Sequence, residues 1–536
     1  SQTVSDVAMR HMLGLLPAIV SCADPVQTIP WVFAPDGFSD SRNLGYAVDT
    51  RSSSQTADSS CVTGQLDGLG ISRFGTIDIG NSNQKKSWFV ASLDDAGLVS
   101  WAVAVSSPSV SFEGGYSVVN DGSGGCWATG SFINEVTING VQYNTTTSSQ
   151  SDSDALIIHV GSSGVVQTVT QFGEGGSDSA LAIASNGAGG VLVTFSQADT
   201  MRLAYIRSTG AVDWNKPATF PVAAEYGIKA IAGDYLGGSF LIGSTPDNTG
   251  VVVTHVGSTG VKNWETQIVT VGTGATAKAT AIAFDDEDSG SVLVVGYFSG
   301  TSSAVFHTQP TATSLVGAEN SLFVLRLTGS GGQPLRSSTT QVVSWVTSVV
   351  KAPNRDGKIS VDLGSHYPSI ATGADGRIIV SGNFEGTLNF NGGAEGGIEL
   401  SELSGGPYGF IMGLHADDGS VSYALQVSDD PRAYVADVSV GSGTTVNVFG
   451  DFEGQVGSSN TGITFGPGGR SDISTYVEGQ SNIFLMSTDI TPPTRSPSTP
   501  PSPSLPPSAL PSPPPSASPS PPPSASPSPP PSASPS

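Results

Sequence analysis

The chain has 536 residues with 67 glycines, 36 prolines and only 12% charged residues, a composition that excludes a helical or α/β protein of this size and predicts an all-β body. Its formal charge of −24, from 45 acidic and 21 basic residues, would repel a phosphate backbone and offers no basic cluster for counterion release, which excludes nucleic acid as a partner. No apolar run reaches the roughly twenty residues of a membrane helix, so no membrane span is expected.

Residues 1–27 read as an N-terminal arm, in which the longest apolar run, 12–20, is interrupted by Pro17. Cys22 lies here. With Cys61 and Cys126 it makes three cysteines, too few for a disulfide scaffold and without the CxxC spacing of a metal site; one pair plus a free thiol is compatible with any of three pairings.

From 28 to 490 the chain repeats itself seven times, at the period expected of propeller blades or solenoids. A short apolar strand, a, falls at 46–49, 116–119, 181–184, 230–232, 281–283, 369–371 and 435–438. Strand b, usually ending in glycine and an aromatic, falls at 62–66, 128–132, 191–195, 241–243, 294–298, 380–384 and 448–452. Strand c is the apolar run at 88–93, 155–160, 201–206, 251–256, 322–327, 409–414 and 482–486. A glycine turn then leads to strand d, with a large side chain four residues past the glycine: Gly97 with Trp101, Gly210 with Trp214, Gly260 with Trp264, Gly419 with Tyr423. The second repeat keeps Gly164 but has Thr168. Glycine supplies the positive φ of a tight hairpin.

The seventh repeat has no strand d, because Thr-Pro-Pro-Thr follows residue 490. The missing strand is at the other end: 29–33, Ile-Pro-Trp-Val-Phe, carries the tryptophan of a strand d and precedes the first strand a. The reading is therefore a seven-bladed β-propeller closed by an N-terminal strand, which leaves no long unpaired edge. In a four-stranded meander the a–b and c–d turns share one face and the b–c and d–a connections the other. The long insertions, 133–153, 300–321, 386–408, 454–481 and about 347–367, all fall on the second face and are expected as Gly/Ser/Thr/Asn-rich loops. One contains the chain's single N-glycosylation sequon, Asn144-Thr145-Thr146, a candidate glycan site in a surface loop.

The six histidines, at 11, 159, 255, 307, 366 and 415, show no metal-ligand spacing. His159 and His255 occupy the same place in strand c of two repeats, which predicts a shared structural role. The acidic run 285–288 lacks the alternating ligands and glycine of an EF-hand, so Ca2+ is only weakly supported and a solvated hairpin is expected. No catalytic, cofactor or metal site is predicted, and no enzyme.

From Thr491 the composition becomes proline, serine and alanine, with 21 of the 36 prolines in 491–536, a single charge at Arg495 and PSPPPSAS three times, from Pro511, Pro519 and Pro527. Proline fixes φ and removes the N–H donor, so this segment is predicted to be a polyproline II stalk, roughly 140 Å long at about 3.1 Å per residue.

The V-x-G-x-F element of strand b, together with the strand c to d pattern F-V-A-x-L-D-x-x-G-x-x-x-W, resembles the SBBP-type β-propeller repeat of extracellular and surface proteins, which implies fold and no catalytic residues. The Ser-Pro-Pro-Pro and Ser-Ala-Ser-Pro tracts are similar to the hydroxyproline-rich cell-wall glycoproteins of plants and volvocine green algae. That resemblance implies hydroxylation and glycosylation of Pro511, Pro513, Pro514, Pro515, Pro519, Pro521, Pro522, Pro523, Pro527, Pro529, Pro530, Pro531 and Pro535. Together these readings predict a secreted, extracellular structural glycoprotein, the protomer of a cell-wall, sheath or fibril assembly with itself as head-to-tail partner. The alternative is a glycan-binding lectin or adhesin with the tail as spacer.

Overall fold

The computed structural model describes the strands and turns between residues 26 and 491, leaving out 1–25 and 492–536. Also outside it are the connecting segments 35–42, 54–55, 68–71, 80–85, 108–113, 148–151, 224–227, 287–289, 301–303, 308–312, 316–319, 331–334, 352–355, 361–365, 391–397, 403–405, 429–432, 454–462, 466–469 and 474–480, with positions 188, 199, 246, 339 and 374. Cys22, Arg495 and the tail prolines from Pro511 to Pro535 therefore lie outside the described residues.

The body is all-β, and each sequence repeat pairs as an antiparallel meander a-b-c-d. Unit 1 is Leu44–Ser53, Thr56–Asp67, Lys86–Asp94 and Val99–Ser107; unit 2 is Gly115–Asn120, Cys126–Ile133, Ser153–Val160 and Val166–Phe172. Unit 3 is Ser179–Ser185, Val191–Gln197, Thr200–Ile206 and Val212–Pro217; unit 4 is Ile231–Gly233, Ser239–Ser244, Gly250–Val256 and Lys262–Val271. Unit 5 is Thr276–Asp285, Ser291–Ser299, Ser321–Gly329 and Gln341–Lys351; unit 6 is Ser369–Thr372, Ile378–Asn389, Tyr408–Leu414 and Val421–Gln426. Unit 7 takes Ala433–Val440, Thr445–Glu453 and Ser481–Thr491 from the C-terminal end, and Val26–Phe33 lies on the outer side of Ser481–Thr491, Val32 opposite Met486 and Phe33 opposite Leu485.

Burial explains why the strands read differently in sequence. Strands b and c have a neighbouring sheet on both faces, so Ser153–Val160 is buried at every position and reads as a continuous apolar run. Strand d has its outer side toward solvent, and Val166–Phe172 is mostly half-buried. The strands a line one shared central cavity. Sheets set radially around a common channel are the β-propeller architecture.

The insertions after strand b are not plain loops. The segment after strand b of unit 2 folds into a hairpin, Glu135–Ile138 with Val141–Asn144, turning at Asn139-Gly140 with φ of 48° and 78°, the left-handed values a two-residue hairpin requires. Its first strand adds to strand d of unit 1, Ile138 opposite Val105. After strand b of unit 5, Ala304–Phe306 adds to strand d of unit 4, Val269 opposite Phe306, and Thr313–Leu315 adds to it in turn. Strand b of unit 6 runs on past Phe384 until Val350 of unit 5 lies opposite Asn389. These three insertions reach back onto the preceding unit, because the outer edge of strand d presents N–H and C=O groups that need partners. Among the described residues the hairpins Ser72–Phe74/Ile77–Ile79 and Ile463–Phe465/Arg470–Ile473, by contrast, pair only with themselves. The segment 347–367 also departs from expectation: strand d of unit 5 continues to Lys351, and Gly357–Ile359 pairs with strand b of unit 6.

Cys61 and Cys126 form a disulfide, S–S 2.00 Å, joining strand b of unit 1 to strand b of unit 2. Sequence left three pairings open. Both sulfurs are buried, and the bridge adds a covalent tie to two units already joined by the Asn120 N–H on Asp49 Oδ2 at 2.7 Å and the Asn120 amide on the Ser59 carbonyl at 3.0 Å.

Candidate functional site

The central cavity encloses about 230 Å³ and is lined where the strands a run into their a–b turns, by Asp49, Asn120, Ser185, Lys229, Tyr235 and Thr372 among others. This is the face of the short turns, opposite the insertions. Asp49 and Lys229 are the charged residues of its lining. Lys229, just before strand a of unit 4, places Nζ 2.7 Å from Oδ1 of Asp437 in strand a of unit 7. Asp437 is fully buried; its Oδ2 accepts the Val48 N–H at 2.7 Å and its Oδ1 the Ser369 hydroxyl at 2.7 Å. One carboxylate thus gathers groups from units 1, 4, 6 and 7, and Lys229 supplies the charge that a buried carboxylate needs. In the repeat pattern Asp437 falls within strand a at 435–438, and Lys229 stands one residue ahead of strand a at 230–232. An acid inside the apolar run Val-Ala-Asp-Val, and a lysine ahead of another inner strand, are the signals that mark them.

His159 and His255 do share one role. His159 Nε2 lies 2.9 Å from Oδ2 of Asp121, and His255 Nε2 3.0 Å from Oδ2 of Asp234. Each aspartate sits in the a–b turn of its own unit and also accepts the turn's backbone N–H groups: Ser123 and Gly125 on Asp121, Leu236 and Gly238 on Asp234. Burial alone would raise the Asp121 carboxyl, but hydrogen bonds from His159, Ser123 and Gly125 more than reverse this and hold it at about 2. Asp234 is lowered by the same balance. In unit 5 the slot of the histidine is filled by Arg326, 3.2 Å from Asp285. Asp286 pairs with Arg336. The acidic run 285–288 therefore has two of its carboxylates committed to arginines, which leaves them poor calcium ligands; 287–288 lie outside the described residues. Among the described residues no group of His, Cys, Asp and Glu is placed to hold a metal ion, and no helix is long and apolar enough to cross a membrane.

The glycine-aromatic pairs of strand d act between units. Trp101 of unit 1 packs on Gly164 in the c–d turn of unit 2, Trp214 of unit 3 on Gly260 of unit 4, and Trp345 of unit 5 on Gly419 of unit 6. The indoles also donate across: Trp214 to the Ser258 carbonyl at 2.9 Å and Trp345 to the Ala416 carbonyl at 2.8 Å. A β-carbon on Gly260 would lie 2.9 Å from the Trp214 ring, and its φ of 73° is left-handed, so glycine is required twice over.

Asn144 ends the outer strand of the unit 2 hairpin with its side chain exposed. Its Oδ1 accepts from Gln142 at 3.3 Å and its carbonyl from Gln171 at 2.8 Å.

No sequence-defined protein family matches the chain, and no curated protein matches it. Among solved structures it is similar to the quinohemoprotein alcohol dehydrogenase of Comamonas testosteroni, at 10% identity and TM-score 0.34 over 86% of this chain and 76% of that one. A protein of unknown function from Dyadobacter fermentans gives 10% identity and TM-score 0.34 over 86% of this chain and 100% of that one. The β-propeller domain of the Trilobed protease from Pyrococcus furiosus gives 6% and 0.30 over 69% and 97%. Likeness this low transfers no activity.

Proposed function

We propose that the seven units close into one ring, with the N-terminal strand as the outer strand of unit 7, and that this ring is the head of a secreted structural glycoprotein. Residues 491–536 form its stalk, a polyproline II rod hydroxylated and glycosylated along Pro511 to Pro535. The observation that carries the reading is the threefold PSPPPSAS tract with one charge in 46 residues, a sequence that cannot build a core or a sheet of its own. The head suits a scaffold and not an enzyme. Its buried acid and base groups are engaged in holding turns and neighbouring units together: Asp121 with His159, Asp234 with His255, Asp437 with Lys229.

In this reading the protomers assemble head to tail. Strand c of the last unit ends at Thr491, on the face of the c–d turns and opposite the insertions, so head and stalk give the subunit polarity. A stiff rod loses little entropy on docking, and a heterologous contact between unlike surfaces propagates as a fibre. Two measurements on native material decide the matter. Glycopeptide analysis across Pro511–Pro535 should find hydroxyproline carrying glycans, and electron microscopy should find filaments with a propeller-sized repeat. Unmodified proline throughout, with a monodisperse monomer at high concentration, overturns the proposal; saturable binding of the head on a glycan array would put the lectin reading in its place.

A further inference from the structure

Resting on the secreted-glycoprotein reading, we infer that Asn144 carries an N-linked oligosaccharide whose work is to cover an open sheet edge and keep two copies from pairing along it.

The hairpin Glu135–Ile138/Val141–Asn144 extends unit 1 to a six-stranded sheet in which Val141–Asn144 is the last strand. Among the described residues no strand pairs with its outer side. The Thr145 N–H bonds the Asn134 carbonyl at 2.8 Å, and the ladder places Val136 opposite Tyr143 and Thr137 opposite Gln142. On the alternation of an antiparallel pair, Tyr143 and Val141 turn their backbone groups toward the hairpin partner, and Gln142 and Asn144 turn theirs outward. The Gln171 amide on the Asn144 carbonyl, 2.8 Å, is consistent with that direction. Val141 on this strand is 54% exposed. A short uncharged edge, here Val-Gln-Tyr-Asn, with outward N–H and C=O groups is a template for another strand, and folded proteins block such edges with charge, proline, bulges or cover. This strand has no proline and no charged residue.

It has instead a sequon at its end. Asn144 and Thr146 are both exposed, so the finished fold accommodates a glycan. The bond forms at Asn144 Nδ2, which loses one proton and takes the anomeric carbon of an oligosaccharide from a lipid pyrophosphate donor; the lipid pyrophosphate leaves. Oδ1 is untouched and keeps its contact with Gln142. A bulky hydrated chain rooted here sweeps the outer side of 141–143 and excludes a second strand.

The test uses the full-length chain secreted from a glycosylating host. Peptide mass analysis should find Asn144 glycosylated. Amide exchange at Gln142 and Asn144, whose N–H groups face outward, should be fast and independent of concentration in this protein. Asn144→Gln should slow exchange at those amides as concentration rises, on the order of tenfold or more, with a dimer in sedimentation velocity; Asn144→Gln combined with Val141→Lys, which places a charge on the edge, should restore fast exchange and the monomer. An unglycosylated Asn144, or an Asn144→Gln chain whose amides at 142 and 144 exchange independently of concentration, overturns the inference. The readouts are local to residues 141–144, so fibre formation through the stalk, or its absence, is scored separately.

Discussion

Phe74 is the position whose loss should be felt most sharply at the junction of the chain's two ends. It is fully buried in the small hairpin Ser72–Phe74/Ile77–Ile79 that follows strand b of unit 1, and its ring lies 5.8 Å from Phe33 of the N-terminal strand and 4.8 Å from Phe89 of unit 1. The surrounding cluster mixes Phe449, Ile483 and Leu485 of unit 7 with Val62, Phe89 and Leu93 of unit 1. Phe74→Ala removes a ring from between two sheets that cannot collapse onto the space, because both are fixed by their own ladders; a buried Phe→Ala costs about 3–5 kcal/mol. Much of that should appear as opening of 26–33, the strand held to the rest by one ladder to Ser481–Thr491. Since every 1.4 kcal/mol is tenfold, a loss of about 3 kcal/mol predicts amide exchange on the order of a hundredfold faster at 26–33. The assay is hydrogen exchange with mass spectrometry on wild type and variant, with a guanidinium unfolding curve for the global loss. If exchange at 26–33 is unchanged while the global midpoint falls, the seam is not where Phe74 acts and the reasoning fails.

Deleting residues 1–34 removes the outer partner of Ser481–Thr491, leaving that strand only its ladder to Thr445–Glu453, and should lower the melting temperature strongly; an unchanged melting curve would sink the proposed ring closure. Reduction of the Cys61–Cys126 bridge, which spans 65 residues, should destabilise the head by about 4 kcal/mol on loop-entropy grounds, seen as a shift of the unfolding midpoint with reductant. Lys229→Met leaves the Asp437 carboxylate buried without its cation and should cost about 3–5 kcal/mol; adding Asp437→Asn should recover part of it, and an additive double mutant would show the two do not interact. The Asp121 carboxyl is depressed in the fold to about 2 from an unfolded value near 3.9, so its contribution is complete above pH ~4 and is lost as pH falls from there toward 2. Asp121→Asn should therefore lower stability at neutral pH and remove that part of the acid dependence in a pH series of unfolding curves; an unchanged slope between pH 4 and 2 would count against the turn-holding role.

The parts legible in sequence were those set by local period and local backbone chemistry. The strands recur because each unit has the same two buried faces, so Val, Ile and Leu return at the same offsets in Ser153–Val160 and Gly250–Val256, and glycine returns wherever a hairpin needs positive φ. The correspondence of His159 with His255 was visible in the same way, although their aspartate partners, 38 and 21 residues away, were not. Asn144 and the tail prolines are motifs of adjacent residues and need no fold to be seen.

Contacts between units were decided only by the tertiary structure. That Trp214 packs on Gly260 of the next unit, that Cys61 chooses Cys126, and that Lys229 reaches Asp437 across the channel all depend on which sheets become neighbours, which no local period encodes. The insertions teach the same lesson: 133–153 reads as a polar loop because a four-residue strand with half-exposed side chains has little pattern to show. It becomes a strand because the open edge of Val99–Ser107 stands beside it and supplies the hydrogen-bond partners that its own sequence does not.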